Sequence, residues 1–180
     1  PLEHWKERSR INGAAAKDNL RLGVEAALIE LGRGFIQHPA NTELRDQFQT
    51  GNLKRQEYYE ELLRLIYRLI FLFAAEDRNL LHVPAALETA RKAYIGGYSL
   101  HRLRERSVRN ASLDKNIDAW EGTKSLFNAL ADGQSALGLV ALGGLFEPQK
   151  LSNLTPLKIE NKKFLKAVWR LSWFRPEGQA

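Results

Sequence analysis

Cysteine and methionine are both missing from this 180-residue sequence. Without cysteine there are no disulfide bridges or thiolate metal sites, and a reducing, cytoplasmic setting is the expectation. Without methionine, and with proline as its first residue, the sequence reads as a fragment of a longer chain. Long hydrophobic runs are missing too. The most apolar stretch stays free of charge only over residues 69–75, far short of the roughly 20 residues a membrane span needs. The first residues, among them Glu3, Lys6, Glu7 and Arg8, are charged where a secretory signal would be apolar.

Catalytic signatures are equally scarce. Gly32 and Gly34 follow a helical pattern, and Gln37 stands where a dinucleotide fingerprint needs its third glycine. The segment Gly133-Gln134-Ser135-Ala136-Leu137-Gly138 misses the nucleophile-elbow spacing by one residue and has no strand before it. No phosphate-binding loop of the G-x-x-x-x-G-K-[ST] form occurs. His4, His38, His82 and His101 never stand four apart, which removes a helical zinc pair. Glu160-Asn161-Lys162 carries the Glu-x-Lys half of a metal-dependent nuclease signature. Asp132 or Glu147 would have to complete it, within a sheet for which there is no pattern. Asn161 suits a helix cap better, and a nuclease remains the remote alternative.

What is present is apolar content at helical spacing. Hydrophobic residues make up 44% of the chain, enough for one substantial core at this length. In the segment 58–78, Leu62, Leu63, Leu65, Ile66, Tyr67, Leu69, Ile70, Phe71, Leu72 and Phe73 cover nearly every side of a helical wheel. Such a helix belongs in the middle of a fold. The pattern predicts a central helix over about 54–79, with Leu65, Ile66, Leu69 and Phe73 buried. Glu60 and Arg64 support it at i,i+4. Arg64 and Arg68 are expected to be half-buried and paired with Glu76 or Asp77, because an unpaired buried charge is costly.

Around it, Leu20, Val24, Leu28 and Leu31 mark a helix over about 14–31, ended by Gly32 and Gly34. A short helix capped by Asn41 or Thr42 runs to Thr50, before Gly51. Pro84 opens a helix that Gly96 and Gly97 close, and further helices span about 99–109 and 116–131. Residues 136–148 read as a buried, apolar, glycine-rich irregular loop, and 151–156 as a linker. A last amphipathic helix runs over 161–174, ahead of a fraying end at 176–180. Strand signals are nearly absent. The expected fold is all-α, one helical domain over residues 1–180.

The net charge is +6 and the isoelectric point about 9.7, so the location of the bases matters. One cluster comprises Arg102, Arg104, Arg106 and Arg109, with a single acid among them. The other runs from Lys158 to Arg175, and within it Lys162, Lys166 and Arg170 fall at i,i+4 on one helix face. Both are candidate contacts to nucleic-acid phosphates. The alternative for the second is a solvated face of snorkelling lysines.

Several blocks in order carry a resemblance. They are residues 31–41 (LGRGFIQHPAN), 58–78 with its Tyr58-Tyr59 start, 97–104 (GYSLHRLR), 137–146 (LGLVALGGLF) and 171–174 (LSWF). Together they resemble the helical region of type IIG-like restriction–modification proteins, over about residues 20–175. In that family an adenine-specific DNA methyltransferase and a target-recognition domain follow the helical region. The methyltransferase motifs, F-x-G-x-G for S-adenosylmethionine and N-P-P-[FYW] for the target adenine, do not occur in these 180 residues. The resemblance therefore implies a non-catalytic helical connector that binds no cofactor itself. The longer protein would use S-adenosylmethionine, and Mg2+ where a nuclease module is present. Duplex DNA and the downstream methyltransferase domain are the implied partners, and a protein-docking scaffold with no nucleic-acid role is the alternative.

Overall fold

The computed structural model describes the backbone of residues 2–173 and the side chains of residues 17–172. Among these, seven α-helices form and no strand does: α1 (Leu2–Gln37), α2 (Thr42–Thr50), α3 (Arg55–Asp77), α4 (Glu88–Gly97), α5 (Leu100–Ser107), α6 (Asp118–Asp132) and α7 (Asn161–Trp173). The all-α expectation holds. The expected fraying end, together with Phe174 and Arg175, lies outside the described residues. No helix of the described residues is long and apolar enough to cross a membrane.

α1 is longer at both ends than its apolar spacing predicted, about 54 Å at 1.5 Å per residue. Gly32 and Gly34 do not end it; they sit inside it and let neighbours approach. A Cβ on Gly34 would lie 2.6 Å from Ile159 Cδ1 and 2.8 Å from Lys163 Cβ, where α7 begins. On Gly32 it would lie 3.3 Å from Leu62 of α3, and the Gly32 carbonyl accepts a 2.9 Å bond from the Tyr58 hydroxyl. Residues two apart lie on different sides of a helix, so the pair admits α7 on one side and α3 on the other. Pro39 follows the helix end. α7 then runs antiparallel to α1, with Lys163 Nζ 3.6 Å from Glu30.

α3 is the central helix, and Leu65, Ile66, Leu69 and Leu72 are fully buried, with Phe73 nearly so. One stripe departs from the expectation of burial all round. Tyr67 is 58% exposed and Phe71 41%, with exposed Leu80 near Phe71. An apolar hollow lined by Phe71, Ala74, Arg78, Leu80 and Leu142 opens along it.

The two arginines of α3 also differ from expectation. Arg64 stays at the surface and pairs with Glu60 at 3.4 Å. Arg68 is buried, but its partners are not Glu76 or Asp77. Its guanidinium donates to the Glu147 carbonyl at 2.9 Å and lies 5.3 Å from the Phe127 ring and 5.4 Å from the Phe146 ring. Burial lowers its pKa, as does the Arg64 charge, while Glu61 on the same helix opposes both.

Opposite α3, Trp120 of α6 is fully buried among Phe35 (5.6 Å), Phe164 (5.6 Å) and Phe127 (6.4 Å), with its indole N–H donating to the Leu157 carbonyl at 3.0 Å. One hydrophobic cluster thus joins helices α1 to α7.

The connections carry more of this core than their sequences suggested. Pro84 opens no helix; α4 begins at Glu88, and residues 81–83 instead pair with 138–140, the Val83 N–H donating to Gly138 and the Val140 N–H to Leu81. The 136–148 loop is irregular as expected, with short 3-10 turns at Ser135–Leu137 and Gly143–Leu145, and it buries Leu137, Leu139 and Phe146. Residues 151–156 are packed and are not a free linker. Leu151 and Leu154 are buried, and the buried Glu61 carboxylate accepts bonds from the Asn153 N–H, the Asn153 amide and the Leu154 N–H.

Two buried asparagines fix the helix ends. Asn41 stands at the N-cap of α2 without a side-chain cap bond. Its amide donates to the Phe35 and Lys158 carbonyls, and its oxygen accepts from the Lys158 N–H. Asn161 begins α7 but caps a different helix, accepting at 3.0 Å from the Ala119 N–H in the first turn of α6.

Candidate nucleic-acid interface

The seven basic residues singled out from the sequence separate into two groups. α5 forms because Ser99 caps it, its hydroxyl accepting from the Arg102 N–H at 3.4 Å, and because Glu76 lies against its first turn. The Glu76 carboxylate accepts from the Leu100 and His101 N–H groups and from the Tyr94 hydroxyl. An anion at a helix N-terminus is favourable, and α5 is thereby fixed to the end of α3.

From that position three of its arginines reach groups on other helices, and two of them, Arg104 and Arg106, are partly buried. Arg104 grips Asp77 with both terminal nitrogens, at 2.5 and 3.2 Å, and its guanidinium lies 5.3 Å from the Phe73 ring. Its Nε is buried without a hydrogen-bond partner among the described residues. Arg106 reaches Asp118 at the start of α6, at 2.9 Å. Arg102 donates to the Gly96 carbonyl in the last turn of α4. Arg102 is nonetheless exposed, and so is Arg109, 65% exposed and 3.8 Å from Glu105. The arginine cluster thus ties α3, α4 and α6 to α5, a role the spacing in sequence could not distinguish from phosphate contact.

Asp77 and Asp118 register these ties. Asp77 is held below the usual carboxylate range by the hydrogen bond from Arg104. Asp118 is held below it by the hydrogen bond from Asn161 and then by Arg106. Their contribution to stability is present above the unfolded carboxylate pKa and is lost as pH falls through the lowered values. Both are largely exposed, which keeps that contribution small.

The second group lies on α7, whose inner face buries Phe164, Leu165, Ala167 and Val168. Lys162 and Lys166 make no side-chain bond with any described residue. The Arg170 guanidinium lies 5.2 Å from the Trp169 ring. Successive positions are about 6 Å apart along the axis. The α5–α6 connection runs beside them: the Asn161 N–H donates to the Asn116 carbonyl and the Lys162 N–H to that of Asp114. Exposed Lys115 is therefore next to Lys162, and Asn110, the neighbour of Arg109, shares a cleft with Lys166 and Arg170. Lys162, Lys166 and Arg170 thus form a basic ridge on one face of α7, with Arg109 and Lys115 on the connection beside it. Asp114 within it is engaged by Asn116 and Asn161. The sequence reading missed Lys115 and the acidic partners Asp77 and Asp118, all of which depend on long-range packing.

Among the described residues no group of three or more His, Asp or Glu side chains could hold a metal ion. Glu160, Asp132 and Glu147 are thus not gathered, and no sheet surrounds Glu160, so the nuclease alternative gains no support. Comparison of the chain with protein-family models, curated proteins and solved structures gives no match.

Proposed function

We propose that this chain is a helical connector of a DNA restriction–modification methyltransferase, non-catalytic in itself, that lies on the DNA backbone and packs against a catalytic module. The observation that carries the DNA half is the α7 ridge, where Lys162 and Lys166 project without any acidic partner among the described residues. Cations at such a spacing neutralise phosphates and release counterions, which gives sequence-independent affinity. The sequence blocks described above support the choice of parent. S-adenosylmethionine, and Mg2+ where a nuclease is present, would be held by other modules of that parent, in the cytoplasm. The exposed Tyr67–Phe71 stripe favours the docking half, and it is also what a pure docking scaffold would present.

Paired variants separate these readings. Lys162→Gln with Lys166→Gln should weaken duplex binding about equally for all sequences and flatten its dependence on salt by about two phosphate contacts, with the melting temperature unchanged. Arg104→Gln with Arg106→Gln should do the reverse, lowering the melting temperature with little effect on DNA. Filter binding across a salt series and thermal melts measure both. Absence of duplex binding by the parent chain at low salt would leave the docking scaffold standing.

A further inference from the structure

Between α1, the end of α5 and α7 lies a cleft of about 320 Å³, within the size range of small-molecule sites. It opens on the basic ridge, and its lining is chemically mixed. Trp169 contributes an aromatic surface, Lys166 and Arg170 cations, Asn110 an amide, and Glu30 a carboxylate. Val108 adds an apolar edge. The Trp169 indole N–H and the Asn110 amide make no hydrogen bond with any described residue, and neither is a buried orphan. Glu30 is held by Lys163 at 3.6 Å on one side only.

We infer that this cleft receives a single unstacked nucleotide of a DNA strand whose backbone lies on the ridge. A free phosphate suits the interior poorly, because Glu30 would repel it. A nucleobase suits it well: its π-face meets Trp169, and its amino edge meets the Glu30 carboxylate and the Asn110 amide. Its own phosphate stays outside on Lys166. Stacking of a base on an aromatic side chain is tolerant of sequence and strong enough to hold an unpaired base. An intact duplex offers no such base, so the cleft adds affinity only where a nucleotide is bulged or unpaired. The inference rests on the DNA-backbone reading of the ridge.

The test uses the whole chain and two DNA duplexes, one fully paired and one with a single bulged 2-aminopurine, which carries an exocyclic amino group. The bulged duplex should bind about ten-fold tighter, with its 2-aminopurine fluorescence changed by stacking. Trp169→Ala should erase that preference while paired-duplex affinity stays the same, and Trp169→Phe should keep most of it. Asn110→Ala, at an exposed position, should reduce the preference without affecting the fold. Equal affinity for the two duplexes, with paired binding intact, would overturn this inference alone. No binding to either would overturn the ridge reading as well.

Discussion

Trp120→Ala should destabilise the fold by about 4–5 kcal/mol, at the top of the range for truncating a buried aromatic. Trp120 is fully buried and touches aromatic rings from α1, α6 and α7. Its removal leaves a void between three elements that are themselves held by Gly34 and Asn161, so the walls cannot readily close. It also strands the Leu157 carbonyl, which loses its indole donor. Chemical denaturation should show a midpoint shift at unchanged slope. A shift of less than about 1 kcal/mol would place the centre of the core elsewhere.

Glu61→Ala should cost about 3 kcal/mol or more, although it removes a buried charge that has no ion pair among the described residues. The carboxylate satisfies the Asn153 and Leu154 backbone N–H groups and the Asn153 amide across 92 residues of sequence. Each buried donor left without a partner costs about 1–3 kcal/mol. Arg68, deep in the same helix, would also lose the acid that offsets its burial. Glu61→Gln, which retains an acceptor, should lose less than Glu61→Ala in the same denaturation experiment. Equal losses would mean that the charge, and not hydrogen-bond acceptance, is what the 151–156 segment requires.

Glu61 also illustrates where sequence reading stops. The central helix was legible because a segment that is apolar on every side has few other places to go, and Leu65, Ile66, Leu69 and Phe73 are buried as their positions predicted. The short helix before Gly51 was legible for a local reason: Gly51 takes the left-handed conformation, φ 76°, that ends it. Gly32 and Gly34 misled because a glycine that admits a neighbouring helix reads the same, in one dimension, as a glycine that ends one. The 151–156 segment looked like a linker because its anchor is an acid 92 positions earlier.

The basic clusters divide along the same line. Lys162, Lys166 and Arg170 depend only on helical periodicity, and their shared face was readable. Whether Arg104 and Arg106 meet phosphate or carboxylate was decided by Asp77 and Asp118, which the fold brings in from other helices. Charge counting cannot resolve that question; only packing does. Equally, the exposed stripe of Tyr67 and Phe71 could not be told from core, since both are apolar at the same spacing.

The most direct measurement is a titration of the isotope-labelled chain with a short duplex at low salt, followed by amide NMR. Shifts confined to residues 109–116 and 161–170, fading as salt is raised, are the predicted result. Shifts centred on α3 near Tyr67 and Phe71, or none at millimolar DNA, would contradict a ridge that lies on the DNA backbone.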